Sequence, residues 1–204
     1  MDRTTLRVAR ALQARDTLPM GFHHVALATR DTAATHDFYT RVMGFELVKV
    51  VTAPTPGEHG GWSKHFFYAT GSSGDNGMIA FWEIHDEQIG DQFPVDINAA
   101  AGLPWWVNHI AFDAPSQEEL DRHRQRWQEC GFRVLEIDHE FCVSIYIRDP
   151  SGNMVEFCHS VRDFTEVERT HAHDLLRDAH PALEKDFSAK VWEPIGSPLA
   201  PATA

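Results

Sequence analysis

The chain repeats itself, and that repetition constrains its fold more than any other feature. Phe22-His-His-Val-Ala-Leu-Ala, a helical stretch and Gly44-Phe-Glu-Leu-Val recur as Val107-Asn-His-Ile-Ala-Phe-Asp, a helical stretch and Gly131-Phe-Arg-Val-Leu. His24 precedes Gly44 by 20 residues and His109 precedes Gly131 by 22. A repeated unit of this kind restricts the chain to two copies of one supersecondary motif related by a pseudo-twofold axis.

Within each copy the local signals predict strand, helix, strand. The opening strands carry β-branched and aromatic residues over a short span. Ala34, Phe38 and Val42 recur every fourth residue, and Leu120, His123 and Trp127 form a second apolar helical stripe. Ser116 with Glu119 three residues on forms a capping-box signature, in which side chains satisfy free N–H groups of the first turn. Gly44 and Gly131 stand where each helix should end in the left-handed conformation.

Further strand-like runs follow at about 45–52, 65–70 and 78–85, and at about 132–138, 142–148 and 153–159. Each half therefore reads β-α-β-β-β, an α+β class. The expected units are an N-terminal helical extension (1–19, helix-like at about 4–15), a first module (20–90), a linker (91–104) and a second module (105–160). A C-terminal region (161–204) adds a helix at about 163–186 and a Pro-rich tail from Pro194. The segment from about Gln88 to Pro104 reads as irregular, and the Gly/Pro-rich stretch Thr52 to Trp62 as a loop over a site.

Composition excludes several function classes. A net charge of −12 argues against nucleic acid or an anionic membrane as partner, because both demand a basic face. No apolar run approaches the roughly 18 residues that span a bilayer, and the Arg-rich start lacks the apolar core of a secretory signal. Three cysteines are an odd number, which fits reduced thiols and a cytoplasmic location better than a disulfide framework.

Chemistry concentrates between Ile137 and Glu156. An imidazole (His139), a phenol (Tyr146) and a carboxylate (Glu156) fall on neighbouring strands joined by the turn Asp149-Pro-Ser-Gly152. With the duplicated modules, this stretch resembles the vicinal oxygen chelate superfamily, which includes glyoxalases, extradiol ring-cleaving dioxygenases, and fosfomycin and bleomycin resistance proteins. The resemblance covers about residues 20–160. It implies two paired β-α-β-β-β modules whose sheets curl into an open cup around a divalent metal.

The duplication indicates where ligands should lie. Metal ligation needs neutral imidazoles and ionised carboxylates converging from rigid elements. His24 and His109 occupy equivalent places on the opening strands, so a pseudo-twofold axis would bring them face to face. Glu156 lies on the last strand of the second copy, and Glu83, in Phe81-Trp-Glu-Ile-His85, is read as its counterpart and a fourth ligand. A carboxylate in an apolar strand is costly to bury unless paired or metal-bound. His23 alternates to the opposite face from His24 and is left out.

Two histidines and one carboxylate with open positions form the arrangement of non-haem Fe(II) oxygenases. Ile137, His139, Ile145, Tyr146, Asp149, Pro150, Gly152 and Glu156 also fit the pattern associated with single-domain extradiol dioxygenases. That resemblance implies that His139 and Tyr146 orient and polarise a bound aromatic diol. One departure is that extradiol enzymes usually place a catalytic histidine where Glu83 stands. Ligation by Glu83 would instead resemble glyoxalase I, whose glutamate also serves as a base, with Ni, Zn or Mn as metal. A metal-free sequestering protein is the third class. Phe66, Phe81, Trp105 and Trp106 are candidate aromatics for lining the cup. The terminal helices could build a homodimer or cover sheet edges.

Overall fold

The computed structural model describes residues 21–71, 77–183 and 188–197. The helix expected at 4–15 and the tail from residue 198 lie outside them. The first module runs β1 (His24–Thr29), α1 (Thr32–Asp37), β2 (Glu46–Pro54), β3 (Gly61–Ala69) and β4 (Met78–Asp86). A π-helical turn, Phe38–Val42, continues α1. The second module follows a short α2 (Ile97–Ala101) and runs β5 (His109–Asp113), α3 (Gln117–Glu129), β6 (Val134–Asp138), β7 (Cys142–Arg148) and β8 (Met154–Ser160). Then come α4 (Glu166–Arg177) and β9 (Ser188–Trp192).

The strands form two open mixed sheets, β1-β4-β3-β2 and β5-β8-β7-β6-β9. In each the first strand runs parallel to the last of its module, and the remaining pairs are antiparallel. The α+β class and the duplicated modules are thus as the sequence indicates.

One face of each sheet is buried under its helix. Leu27, Phe66, Tyr68, Ile79 and Phe81 join the core from the first sheet, and Phe112, Val134, Ile145, Val155 and Phe157 from the second. Trp127 of α3, fully buried, lies 5.4 Å from Phe157 between ring centroids. The modules meet through these helical sides. Phe45 contacts Phe112 and Phe157 at 4.9 and 6.1 Å, and Phe38 contacts Phe132 at 5.7 Å. The Tyr39 hydroxyl donates to Asp149 Oδ2 at 3.1 Å, tying α1 to the β7–β8 turn.

Glycine is required where these parts touch. Gly44 has φ +79°, and a Cβ there would fall on the Arg126 guanidinium, which donates to Met43 O. Gly131 is likewise left-handed, at φ +87°. Ser116 Oγ accepts from Glu119 N–H at 3.2 Å, capping α3 as its sequence predicts.

Three expectations change. The stretch 52–62 is mostly hairpin, because β2 and β3 stay paired through Pro54↔Trp62 and leave only residues 55–60 as the turn. The linker contains α2, whose N–H groups at Asn98 and Ala99 donate to Asp96. Strand β9 was not foreseen. It extends the second sheet on β6, and the Trp192 indole donates to Glu136 at 2.9 Å while stacking on the Arg124 guanidinium. Among the described residues no helix is long and apolar enough to cross a membrane.

Candidate metal centre

Alternation along each strand divides core from site. In the second sheet, His109, Ala111, Leu135, Ile137, Ser144, Tyr146, Glu156 and Cys158 project from the face opposite α3, as the register Ala111↔Glu156↔Tyr146↔Leu135 requires. His109 Nε2 lies 3.3 Å from Glu156 Oε2. Glu156 is 4 % exposed, a position that a carboxylate holds only with a partner. The Tyr146 hydroxyl reaches Glu156 and Ser144, and burial together with the Glu156 charge pushes its ionisation well up, so it is a phenol at neutral pH. His139 Nε2 stands 3.1 Å from the same hydroxyl. An imidazole–carboxylate pair and an imidazole–phenol pair therefore share one patch.

In the first sheet, His24, His65, Phe67 and Trp82 project from the face opposite α1. The His24 ring lies 6.1 Å from His65 and 5.5 Å from Phe67, and His65 stacks on Trp82 at 3.9 Å. His65 Nε2 is buried without a hydrogen-bond partner. Desolvation and the neighbouring His24 lower its pKa, favouring the neutral ring.

Glu83 is directed elsewhere. It alternates with Phe81 onto the helical face, where Thr32 Oγ1 donates to it at 2.6 Å and Lys64 Nζ at 3.0 Å, and His85 Nε2 lies 2.8 Å away. Burial raises its pKa, but the hydrogen bonds from His85, Thr32 and Lys64 outweigh this and hold it at about 2. Register also corrects its equivalence with Glu156. Glu156 pairs with Ala111, two residues after His109, whereas the residue paired with Ala26, two after His24, is Ala80. The first module thus has an alanine at the carboxylate position. Phe66 and Phe81 are core residues, and Trp105 and Trp106 are exposed. The aromatics on the open face are instead Phe67 and Trp82, with His65, which period-two alternation from the His24 register could have indicated.

His109 and Glu156 come together; His24 does not join them within one chain. Among the described residues no three His, Cys, Asp or Glu side chains could hold one metal ion. The physical reason is the packing just described: the modules meet back to back through their helices, so their open faces point apart.

Residues 21–157 match the model of the Glyoxalase/Bleomycin resistance protein/Dioxygenase superfamily. The chain belongs to that superfamily. A Bacillus subtilis (strain 168) protein described as a probable trivalent organoarsenical cleaving enzyme is 26% identical over 155 residues, covering 74% of this chain and 86% of its own. A glyoxylase/bleomycin resistance protein/dioxygenase domain from Frankia sp. EAN1pec superposes with a TM-score of 0.51 at 17% identity, over 76% of this chain and 99% of that domain. Lactoylglutathione lyase from Agrobacterium tumefaciens gives 0.44 at 23% identity, over 70% and 95%.

Proposed function

We propose that this chain is a metal-dependent enzyme whose centre is formed by His24, His109 and Glu156, and that it cleaves a catechol-type aromatic with Fe(II) and O2 in the extradiol manner. The observation that carries the reading is the convergence of His109 and Glu156 beside Tyr146 and His139 on one uncovered sheet face. Two imidazoles and a carboxylate fit Fe(II), and also Mn(II), in a site that keeps open positions. The bound metal would supply Lewis acidity and a place for substrate and O2 together. Tyr146, kept protonated, donates to a substrate oxygen. His139, in contact with the Tyr146 hydroxyl, receives or returns the proton that a diol loses on binding. Phe67, Trp82 and His65 give a planar substrate an apolar wall.

Because the open faces of one chain point apart, the centre forms between two copies in this reading. The first module of one covers the second module of the other, and a twofold axis generates two equivalent cups. Exposed Val48, Val50 and Val51 of β2, the free edge of the first sheet, fit such a dimer.

A glyoxalase-like isomerase is less favoured, because Ala80 occupies the place of a second carboxylate and Glu83 is engaged with Lys64, Thr32 and His85. A metal-free sequestering role leaves the buried Glu156 and its His109 partner without a purpose. A second reading, cleavage of an organoarsenical, is favoured by the Bacillus subtilis relative. The test is metal analysis of anaerobically purified protein, then a panel of catechols and a trivalent organoarsenical with oxygen uptake recorded. Iron with oxygen uptake on a catechol is the expected result. Tightly held zinc or nickel without uptake would sink it.

A further inference from the structure

The turn that carries His139 is held by groups that the proposed chemistry does not use. It joins β6 to β7 through His139, Glu140 and Phe141, and the His139 N–H donates to Cys142 O at 2.9 Å. Glu140 has φ +73°, alone among the described non-glycine residues in the left-handed region. That conformation suits glycine or asparagine and costs a bulkier residue energy, so a glutamate there calls for a reason. Its side chain supplies one. Arg162 Nε donates to Glu140 Oε1 at 3.0 Å, and Arg162 Nη2 donates to Glu140 Oε2. The same guanidinium grips Glu168, Nη1 to Oε2 at 3.0 Å and Nη2 to Oε1 at 2.6 Å. Glu168 closes the capping box of α4, accepting from the Thr165 N–H at 2.6 Å. Beside these ion pairs the Phe164 ring lies 5.1 Å from Phe141, whose ring lies 6.3 Å from His139. The Val161 N–H donates to Phe141 O at 3.0 Å, joining the turn to the end of β8.

We infer that Arg162 is a positioning residue for His139: it holds Glu140 in its left-handed conformation against the first turn of α4, and so fixes the imidazole against the Tyr146 hydroxyl. Two carboxylates forked onto one guanidinium give direction as well as attraction, because its donors lie in one plane. Stability is a poor account of the same contacts. The Glu140 side chain is 74% exposed, and ion pairs in water contribute little to folding. Their effect is on orientation. His139 Nε2 stands 3.1 Å from the Tyr146 hydroxyl, on a turn rather than within a strand, so its aim follows the backbone of Glu140 beside it. Small misplacements of a reacting group are costly to turnover. The consequence for turnover rests on the proposed extradiol chemistry; the placement of the ring does not.

The test is NMR of the full chain with isotope-labelled histidine, metal-free and in mildly alkaline buffer, where imidazoles are neutral. His139→Gln assigns the His139 ring signals. Wild type should show that ring in a single tautomer, and Arg162→Ala should give ring-nitrogen shifts averaged between the two. Adding Glu140→Asn, which takes the left-handed conformation at little cost, should restore the wild-type shifts. On metal-loaded protein, Arg162→Ala should lower kcat on a catechol on the order of 10-fold with KM little changed, and Glu140→Asn should bring it back. Wild-type His139 shifts in Arg162→Ala, or no rescue by Glu140→Asn, would overturn the proposal. A wild type that turns over no catechol yet shows these shifts and their rescue refutes the extradiol reading and leaves the role of Arg162 standing.

Discussion

His123 should make the fold sensitive to mild acid. Its ring stacks on Phe157 at 3.7 Å with an interplanar angle of 11°, and Nδ1 is buried without a partner. Desolvation, helped by Arg126 and Arg122 and opposed by Glu119, lowers its pKa from 6.5 to about 4. The folded value lies below the unfolded one, so the unfolded chain binds the extra proton. Stability is then full above about pH 6.5 and is lost progressively toward pH 4. Linkage between these two values gives a loss of about 2 kcal/mol at pH 5 and almost none at pH 7.5. The ring is partly exposed, so solvent screening reduces this to about 1–2 kcal/mol. His123→Leu keeps an apolar contact with Phe157 and removes the titrating group. Urea unfolding at both pH values should show wild type losing about 1–2 kcal/mol more than the variant on acidification. Equal losses in the two proteins would refute the assignment.

Three further outcomes follow from the site and the core. Glu156→Gln should abolish metal retention, whereas Glu83→Gln should leave metal content unchanged, both read by elemental analysis of dialysed protein. Tyr146→Phe should keep the metal and lower kcat on a catechol by about 100-fold, the range of a lost proton-handling group; an unchanged kcat would remove Tyr146 from the chemistry. Tyr39→Phe leaves the buried Asp149 carboxyl without that donor and should cost about 1–3 kcal/mol in urea unfolding.

The fold was legible because strand and helix signals are local and were given twice. The Gly44 and Gly131 helix ends, the Ser116 cap and the strand–helix–strand order of each module all follow from short stretches of chain. The site was less legible. Glu83 was equated with Glu156 because both lie in apolar strands with similar flanks, but a strand register that differs by an odd number of residues reverses the face. Only the pairing Ala26↔Ala80 shows which residue is equivalent. Strand β9 depends on a partner far along the chain, β6, and no local pattern reports that; at 52–62 the Gly and Pro residues mark the turn but not how far the flanking strands stay paired. Nor could the back-to-back packing be read from spacing, since it arises from Phe38 and Phe45 meeting Phe132, Phe112 and Phe157 across the modules.

The central claim is that one metal is held by His24 of one copy together with His109 and Glu156 of another. The most direct measurement is the metal content of dimers co-expressed from His24→Ala and His109→Ala chains. Each variant alone should bind none. In a random mixture half the dimers are mixed, and each of these regains one intact cup of two, so about a quarter of the sites should fill. No recovery on mixing, or a wild-type monomer that binds one metal by itself, would contradict the account.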